Sequence, residues 1–450
     1  MPETESNPLR LALTEILTVS LSCAVPPGTP RRVPGRLGLP GKVTAVVGMR
    51  RAGKTTFLHQ IRSERLAGGT PRAHLPYINF EDERLAELTG SQLGFLLEEY
   101  GRQAPDAARH GPVTWCFDEI QLVPGWERFV RRMLDAGGVE VLVTGSSAAL
   151  LSREIATALR GRAWEVPLYP FSFAETLAHR GTPVPADAGR LTAAERSRIE
   201  HDFLQWLKVG GFPEAQELDD GSRRQLLRDY VDVAMLRDVV ERHGVSNVHG
   251  LRWLVRHLLG NAAGAFSVEK FHATLKSRGL AISRDSLHQF LGFLEDCFLV
   301  RVVWLEAASE RQRMVNPRKV YPVDAGLIPV FDRTGRANLG HALETAVLIE
   351  LQRRRCEVTY VRTKDGHEVD FLARLPDGGM ELIQVSADAS TPDTATRELR
   401  ALEAAGKQHP DAILRLLTLT RDTQPIESPP DMLIQPVYEW ILSTGSNRGT

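Results

Sequence analysis

Residues 42–61 read KVTAVVGMRRAGKTTFLHQI, an apolar run that enters a glycine-bounded turn and leaves it through a lysine and two threonines. Lys42 to Val47 has the continuous apolar character of a buried parallel strand, and Thr55 to Glu64 has the character of a helix. Between them Gly48 and Gly53 bracket four residues, with Lys54 and Thr55 next, which is the spacing of a phosphate-binding loop. The helix start explains the pattern: its unpaired N–H groups and dipole favour an anion lodged in the turn. Gly48, Arg50, Arg51, Ala52, Gly53, Lys54, Thr55 and Thr56 are therefore expected around the phosphates of ATP. Lys54 reaches the β and γ oxygens, and the Thr55 hydroxyl joins the shell of a Mg2+ ion.

A second apolar run, PVTWCFDEIQ at 112–121, ends in adjacent carboxylates. Val113 to Phe117 reads as another strand, with Asp118 and Glu119 at its carboxyl tip, where ligands of open α/β sheets collect. One carboxylate there can hold magnesium through water, the role expected of Asp118. Its neighbour Glu119 can orient or deprotonate the attacking water. A third strand, Val139 to Thr144, runs into Gly145, Ser146 and Ser147. Ser146 is the expected γ-phosphate sensor, with Thr144 and Ser147 close enough in sequence to take that place. A phosphate-gripping lysine followed by two strand-tip acids implies ATP hydrolysis rather than binding alone.

The chain has 450 residues, enough for two to four domains, and a formal net charge of −1. Without a global field to draw it to nucleic acid, any such contact must come from local patches. Cys23, Cys116, Cys297 and Cys356 are too scattered for a zinc site or a disulfide framework. Leu9 to Val25 is moderately apolar but carries Arg10 and Glu15 and lacks a basic start, so it makes a poor membrane span and a poor secretion signal. No later run is long enough to span a bilayer, and the expectation is a cytoplasmic protein without a membrane partner.

Within the N-terminal segment 1–41, Pro26 to Gly41 reads as a loop whose Arg31, Arg32 and Arg36 form a basic cluster expected at the surface. Strands alternating with helices over 42–173 predict a parallel, doubly wound core. Residues 174–246 read as a helical lid. Thr192 and Glu195 have capping-box spacing, the helix they start ends at Gly210, and Leu226 to Arg242 forms a further helix. Residues 247–334 read as a winged helix, with helices at Leu251 to Leu259, Val268 to Lys276 and Ser283 to Asp296, then strands at Phe298 to Leu305 and Lys319 to Val323. In that fold the third helix enters the major groove and the strand loop touches the backbone, which makes Arg284, Arg311, Arg313, Arg318 and Lys319 the expected DNA contacts. A structural three-helix element with a merely wet basic loop is the alternative.

Residues 335–442 precede a short tail at 443–450 and carry a different pattern. A helix, Leu339 to Arg353, holds Glu344; HEVDFLARL holds Asp370 in a strand; ELIQVSAD holds Gln384 and Ser386 in the next. This is the layout of a restriction-endonuclease-like core, in which carboxylates hold metal and a lysine positions water. Glutamine is a weak metal ligand and serine cannot supply the lysine's charge. Glu344, Asp370, Gln384 and Ser386 are thus expected to form a degenerate site that does not cleave.

The ordered series GMRRAGKT, YINFEDERL, CFDEIQ, VTGSS, LRGR, GGFPE, LRDVVERHG, LETAVLIEL, HEVDFL and LIQVS resembles the prokaryotic AAA-type ATPases that end in a domain of unknown function, over about Val43 to Leu442. The resemblance implies an α/β, AAA+-like P-loop core with a helical lid, a winged-helix region, and a C-terminal α/β domain similar to PD-(D/E)xK nucleases. It carries Lys54, Thr55, Asp118 and Glu119 over as residues of an ATP and Mg2+ site. It also implies a homo-oligomer in which Arg162, of LRGR, reaches a neighbouring subunit's γ-phosphate. Arg153 and Arg160 are rivals for that role, and a plain surface arginine is the alternative. Two functions fit: ATP turnover that drives binding or remodelling of duplex or branched DNA, or a nucleotide-gated switch that acts on a protein partner.

Overall fold

The computed structural model describes residues 8–109, 111–145, 159, 161–332, 338–427 and 429–443. They form two compact units, Met1–Leu168 and Tyr169–Thr450.

The first unit is built on five strands, β1 (Val43–Val47), β2 (Tyr77–Asn79), β3 (Val113–Asp118), β4 (Val139–Gly145) and β5 (Ala163–Pro167). All neighbours are parallel, in the order β2-β3-β4-β1-β5. β1 and β3 are buried along their whole length, which accounts for their unbroken apolar sequence. Among the helices that cover or flank the sheet are α1 (Pro8–Ser22), α2 (Lys54–Ala67), α3 (Gly94–Gln103) and α4 (Trp126–Ala136). Phe57, Leu58 and Ile61 share one stripe of α2 and pack on Val46, Cys116, Leu142 and Val166. α4 buries Trp126, Phe129, Val130, Met133 and Leu134, as its periodicity requires. α1, inside the segment expected to lie ahead of the core, belongs to this unit: Ser20 Oγ accepts the Tyr77 amide at 2.6 Å, at the start of β2.

The second unit holds β6 (Ala265–Phe266), β7 (Val300–Leu305), β8 (Arg318–Pro322), β9 (Glu357–Arg362), β10 (Glu368–Arg374), β11 (Met380–Ser386), β12 (Ile413–Thr418) and β13 (Met432–Pro436). They make one sheet, ordered β13-β12-β11-β10-β9-β7-β8-β6. The region expected to be a winged helix supplies α7 (Val248–Gly260), α8 (Val268–Ser277) and α9 (Arg284–Asp296), followed by the antiparallel pair β7–β8. Ahead of them come α5 (Ala193–Val209), started by the expected Thr192–Glu195 capping box, and α6 (Asp220–Val233), which continues through a π-helical turn at Ala234–Glu241.

The boundary expected at residue 335 is crossed by this sheet. β7 pairs in parallel with β9, matching Trp304 with Thr359 and Leu305 with Tyr360. An open strand edge is a row of unpaired N–H and C=O groups, and β9 covers the one that β7 would otherwise expose. A single apolar core runs through both regions, joining Phe203 and Leu207 of α5 to Val303, Tyr321, Val347, Phe371, Ile383 and Tyr438. Among the described residues no helix is long and apolar enough to cross a membrane.

Candidate functional site

β1 delivers its chain into the loop at Gly48. A Cβ there would lie 2.1 Å from the Leu168 carbonyl oxygen, so only glycine fits. The loop then turns through left-handed backbone at Arg51 (φ 66) and Gly53 (φ 97) before α2 begins at Lys54. Glycine reaches that region freely, while Arg51 is held there at a conformational cost. The Lys54 side chain is 5% exposed, and its ammonium donates to the carbonyls of Gly48 (3.1 Å) and Met49 (3.3 Å). Glu119 Oε1 stands 3.7 Å from the same nitrogen.

Arg31 corrects the sequence reading. It is 4% exposed, and its guanidinium donates to the Ala52 carbonyl at 2.8 Å, bracing the loop from outside. Gln60 of α2 fixes its backbone, accepting from the Arg31 amide at 2.7 Å and donating to its carbonyl at 3.0 Å. A buried guanidinium needs acceptors for its N–H groups, and the loop carbonyl supplies one. The cluster expected at the surface therefore has one structural member.

The two acids leave the tip of β3 in different directions. Asp118 is buried and accepts from two hydroxyls, Tyr77 Oη at 2.8 Å and Thr144 Oγ1. Glu119 sits in left-handed backbone (φ 53), and its amide donates to Thr144 Oγ1 at 2.9 Å. Its carboxylate also accepts from Gln121 Nε2. Thr144, at the end of the intervening strand β4, thus ties both acids together. Sequence reasoning had it only as a substitute sensor and missed Tyr77 altogether. Burial and the Asp118 charge push the Tyr77 phenol well above its ordinary range, so it stays protonated as a donor. Burial, then Arg62, lowers the nearby His59, whose ring centroid is 4.5 Å from that of Tyr77.

Ser146, Ser147, Arg153 and Arg160 lie outside the described residues. Arg162 immediately precedes β5, where Ala163 pairs with Val43. That is the amino end of a parallel sheet, whereas the loop and both acids are at the carboxyl end. Arg162 pairs with Asp135 and takes no part in the site of its own chain.

In the second unit the expected degenerate site has a different composition. The Lys319 ammonium, on β8, touches Asp370 at 2.9 Å, Glu368 at 3.1 Å and Glu344 at 3.2 Å. Tyr321, two residues on along the same face, donates to Glu344 at 2.6 Å. Gln384 donates to Glu398 at 2.7 Å and accepts the Asp370 amide at 3.3 Å, and the Val385 amide donates to Asp370 Oδ2 at 3.0 Å. Burial opposes the Lys319 charge, but Asp370, Glu344 and Glu368 outweigh it and hold its pKa well above the ordinary range. Burial, then Asp370, pushes Glu344 up to about 8.

Lys319 is therefore not a DNA contact: it is 5% exposed and its three donors are spent on carboxylates. A metal does not fit this cluster as it stands, because an ammonium already occupies its centre. Ser386, 8% exposed, has no hydrogen bond to the lysine, and the charge absent at its position arrives from β8 instead. Of the other expected contacts, Arg284 pairs with Glu269 at 3.1 Å and Arg313 with Glu310 at 3.3 Å. The Arg318 guanidinium carbon lies 4.0 Å from the Trp304 ring centroid. Arg311 is exposed.

Comparison with known proteins agrees with the geometry of the first unit. Residues 40–177 match the family model described as an AAA domain, while 200–336 and 339–434 match two domains of unknown function, DUF8612 and DUF4143. The uncharacterized protein MJ1544 of Methanocaldococcus jannaschii is 32% identical over 416 residues, covering 90% of this chain and 89% of its own. An uncharacterized protein of Haemophilus influenzae is 28% identical over 352 residues, 78% of this chain and 83% of that one. Among solved structures, the Walker-type ATPase PABY2304 of Pyrococcus abyssi aligns over 72% of this chain and 95% of that chain, with 16% identity and a TM-score of 0.40. With the P-loop lysine and the paired acids converging at one sheet edge, the chain belongs to the same family as MJ1544 and carries an AAA-type P-loop ATPase domain.

Proposed function

We propose that this protein is a Mg2+-dependent ATPase that couples ATP hydrolysis to the binding or remodelling of DNA. The observation that carries the hydrolytic half is the approach of Glu119 to Lys54, 3.7 Å, beside an Asp118 tethered by two hydroxyls. Lys54 is poised to exchange loop carbonyls for phosphate oxygens. Glu119 then orients the attacking water and accepts its proton. Thr55 and Asp118 suit a hard cation: both offer oxygen donors, and Asp118 is a buried carboxylate that forms no salt bridge among the described residues. When bound, Mg2+ supplies positive charge for the β- and γ-phosphate oxygens. Ser146 as sensor, and Arg162 acting on a neighbouring subunit in a homo-oligomer, complete the proposal.

The order of three helices and a strand pair over 248–322 supports DNA as the partner, in the manner of a winged helix. The Lys319-centred cluster supports a nuclease-like domain without cleavage, and no metal-dependent cutting of DNA is expected from it. The test is the rate of ATP turnover with and without duplex, single-stranded and four-way DNA. Stimulation by one of these forms is the expected result. Unchanged turnover with all three would move the function to a nucleotide-gated switch on a protein partner.

A further inference from the structure

The surface expected to meet DNA is largely self-paired, yet another surface of the second unit is not. A cleft of about 970 Å³ opens between α6, α7 and α8, and no described residue of the loop between β7 and β8 lines it. Arg228 lines it from α6, Arg252 and Arg256 from α7, and Arg278 from the turn after α8. All four are exposed, and among the described residues none has a carboxylate within salt-bridge distance.

The contrast with neighbouring arginines is informative. Arg223 and Arg224 both pair with Asp220, and Arg237 pairs with Glu241, at helical spacing. Arg228 is four residues from Asp232, which also lines the cleft, and the two form no such pair. Arg252 and Arg256 are one helical turn apart, a spacing at which like charges destabilise a helix. Asp232 and Asp332 are the carboxylates of the lining, so the four arginines outnumber them two to one. A fold that gathers four cations in one concavity without neutralising them leaves their charge for a ligand.

Between the arginines stands Trp253, half-buried, with the Arg278 guanidinium 5.3 Å from its ring centroid. A basic groove that offers an aromatic face is the arrangement that grips an unpaired nucleic-acid strand: phosphates lie on the cations and a base stacks on the ring. A duplex keeps its bases stacked inside and presents a convex rod, so it cannot use a tryptophan set in a cleft.

We propose that this cleft binds single-stranded DNA, with Arg228, Arg252, Arg256 and Arg278 on consecutive phosphates and Trp253 under one base. The proposal rests on the DNA-linked ATPase reading and names the strand and the surface. It is tested by fluorescence anisotropy with labelled oligo-dT and with a blunt duplex of equal length, on the full chain. Four proteins are compared: wild type, Arg252→Ala/Arg256→Ala, Trp253→Ala and Trp253→Phe. The expected results are tighter binding of oligo-dT than of duplex, and a loss of roughly tenfold or more in the double variant. The double variant should also flatten the plot of log affinity against log salt by about 1.4, since each phosphate contact to a single strand contributes about 0.7. Trp253→Ala should lose about fivefold or more, and Trp253→Phe should recover most of it. These side chains are exposed or half-buried, and thermal melting checks that the variants fold. Duplex binding that neither variant alters would overturn the cleft while leaving a DNA role intact. Binding of neither DNA would overturn both.

Discussion

At the residue scale the first unit turns on Thr144. Its hydroxyl donates to Asp118 and accepts from the strained backbone of Glu119, so one oxygen fixes both acids. Thr144→Val keeps the shape and removes both bonds. It should lower stability by about 1–3 kcal/mol, the cost of stranding buried polar groups. It should also slow ATP turnover by roughly 10- to 100-fold, because Glu119 is no longer aimed. Nucleotide affinity should change little, which equilibrium binding of a fluorescent ATP analogue would check; loss of binding equal to the loss of rate would show that Thr144 supports the loop instead. Lys54, Asp118 and Glu119 were legible in the sequence because their neighbours along the chain define them: strand, glycine turn and helix for one, a strand tip for the others. Arg31, Tyr77 and Lys319 were not, because what defines each is distant in sequence. The Ala52 carbonyl is 21 residues from Arg31, Asp118 is 41 from Tyr77, and Asp370 is 51 from Lys319. An arginine among prolines and glycines reads as surface until its acceptor is known.

At the element scale the second unit places a lysine of β8 among acids of α10 (Leu339–Arg353) and β10. Burial and Asp370 raise Glu344 from its ordinary 4.5 to about 8. Between those values the folded unit holds a proton that the unfolded chain has released, so stability present below pH 4.5 declines as the pH rises toward 8. The slope from this one group is of the order of 1 kcal/mol per pH unit. Glu344→Gln should remove it, and urea denaturation at pH 5, 6, 7 and 8 would show a flatter profile than wild type. An unchanged slope would mean that Glu344 stays ionised beside Lys319. Helices were read well from sequence because caps and periodicity are local: the Thr192 box occurs where its spacing predicts. The π-helical turn at Ala234–Glu241 was not, since the residues there continue an ordinary helical pattern.

At the scale of the whole molecule, the sequence suggested four successive domains after the N-terminal segment, and the chain folds as two compact units. The parallel pairing of β7 with β9 links the last two of them: nothing local in either strand announces a partner more than fifty residues away. A fragment ending at residue 334 should therefore expose the β7 edge and lose half its core. Residues 169–334 are expected to aggregate or to melt without cooperativity, while 169–450 melts in a single transition by calorimetry. A cooperative transition in the shorter fragment would make the two regions independent after all. Arg162, at the amino end of its own sheet, can serve catalysis only from another subunit. If it does, Arg162→Ala should be inactive alone and regain activity when mixed with Lys54→Ala, each variant supplying the part the other lacks; mixtures no more active than their components would remove Arg162 from the mechanism.

The most direct measurement is the identity of the nucleotide retained after incubation with ATP and Mg2+, read by chromatography of the protein-bound fraction. Wild type should hold ADP, Glu119→Gln should hold intact ATP with turnover lowered about 10²- to 10⁴-fold, and Lys54→Ala should hold neither. Wild type that keeps ATP uncleaved, or a Glu119→Gln protein that converts it at the wild-type rate, would contradict hydrolysis at this site.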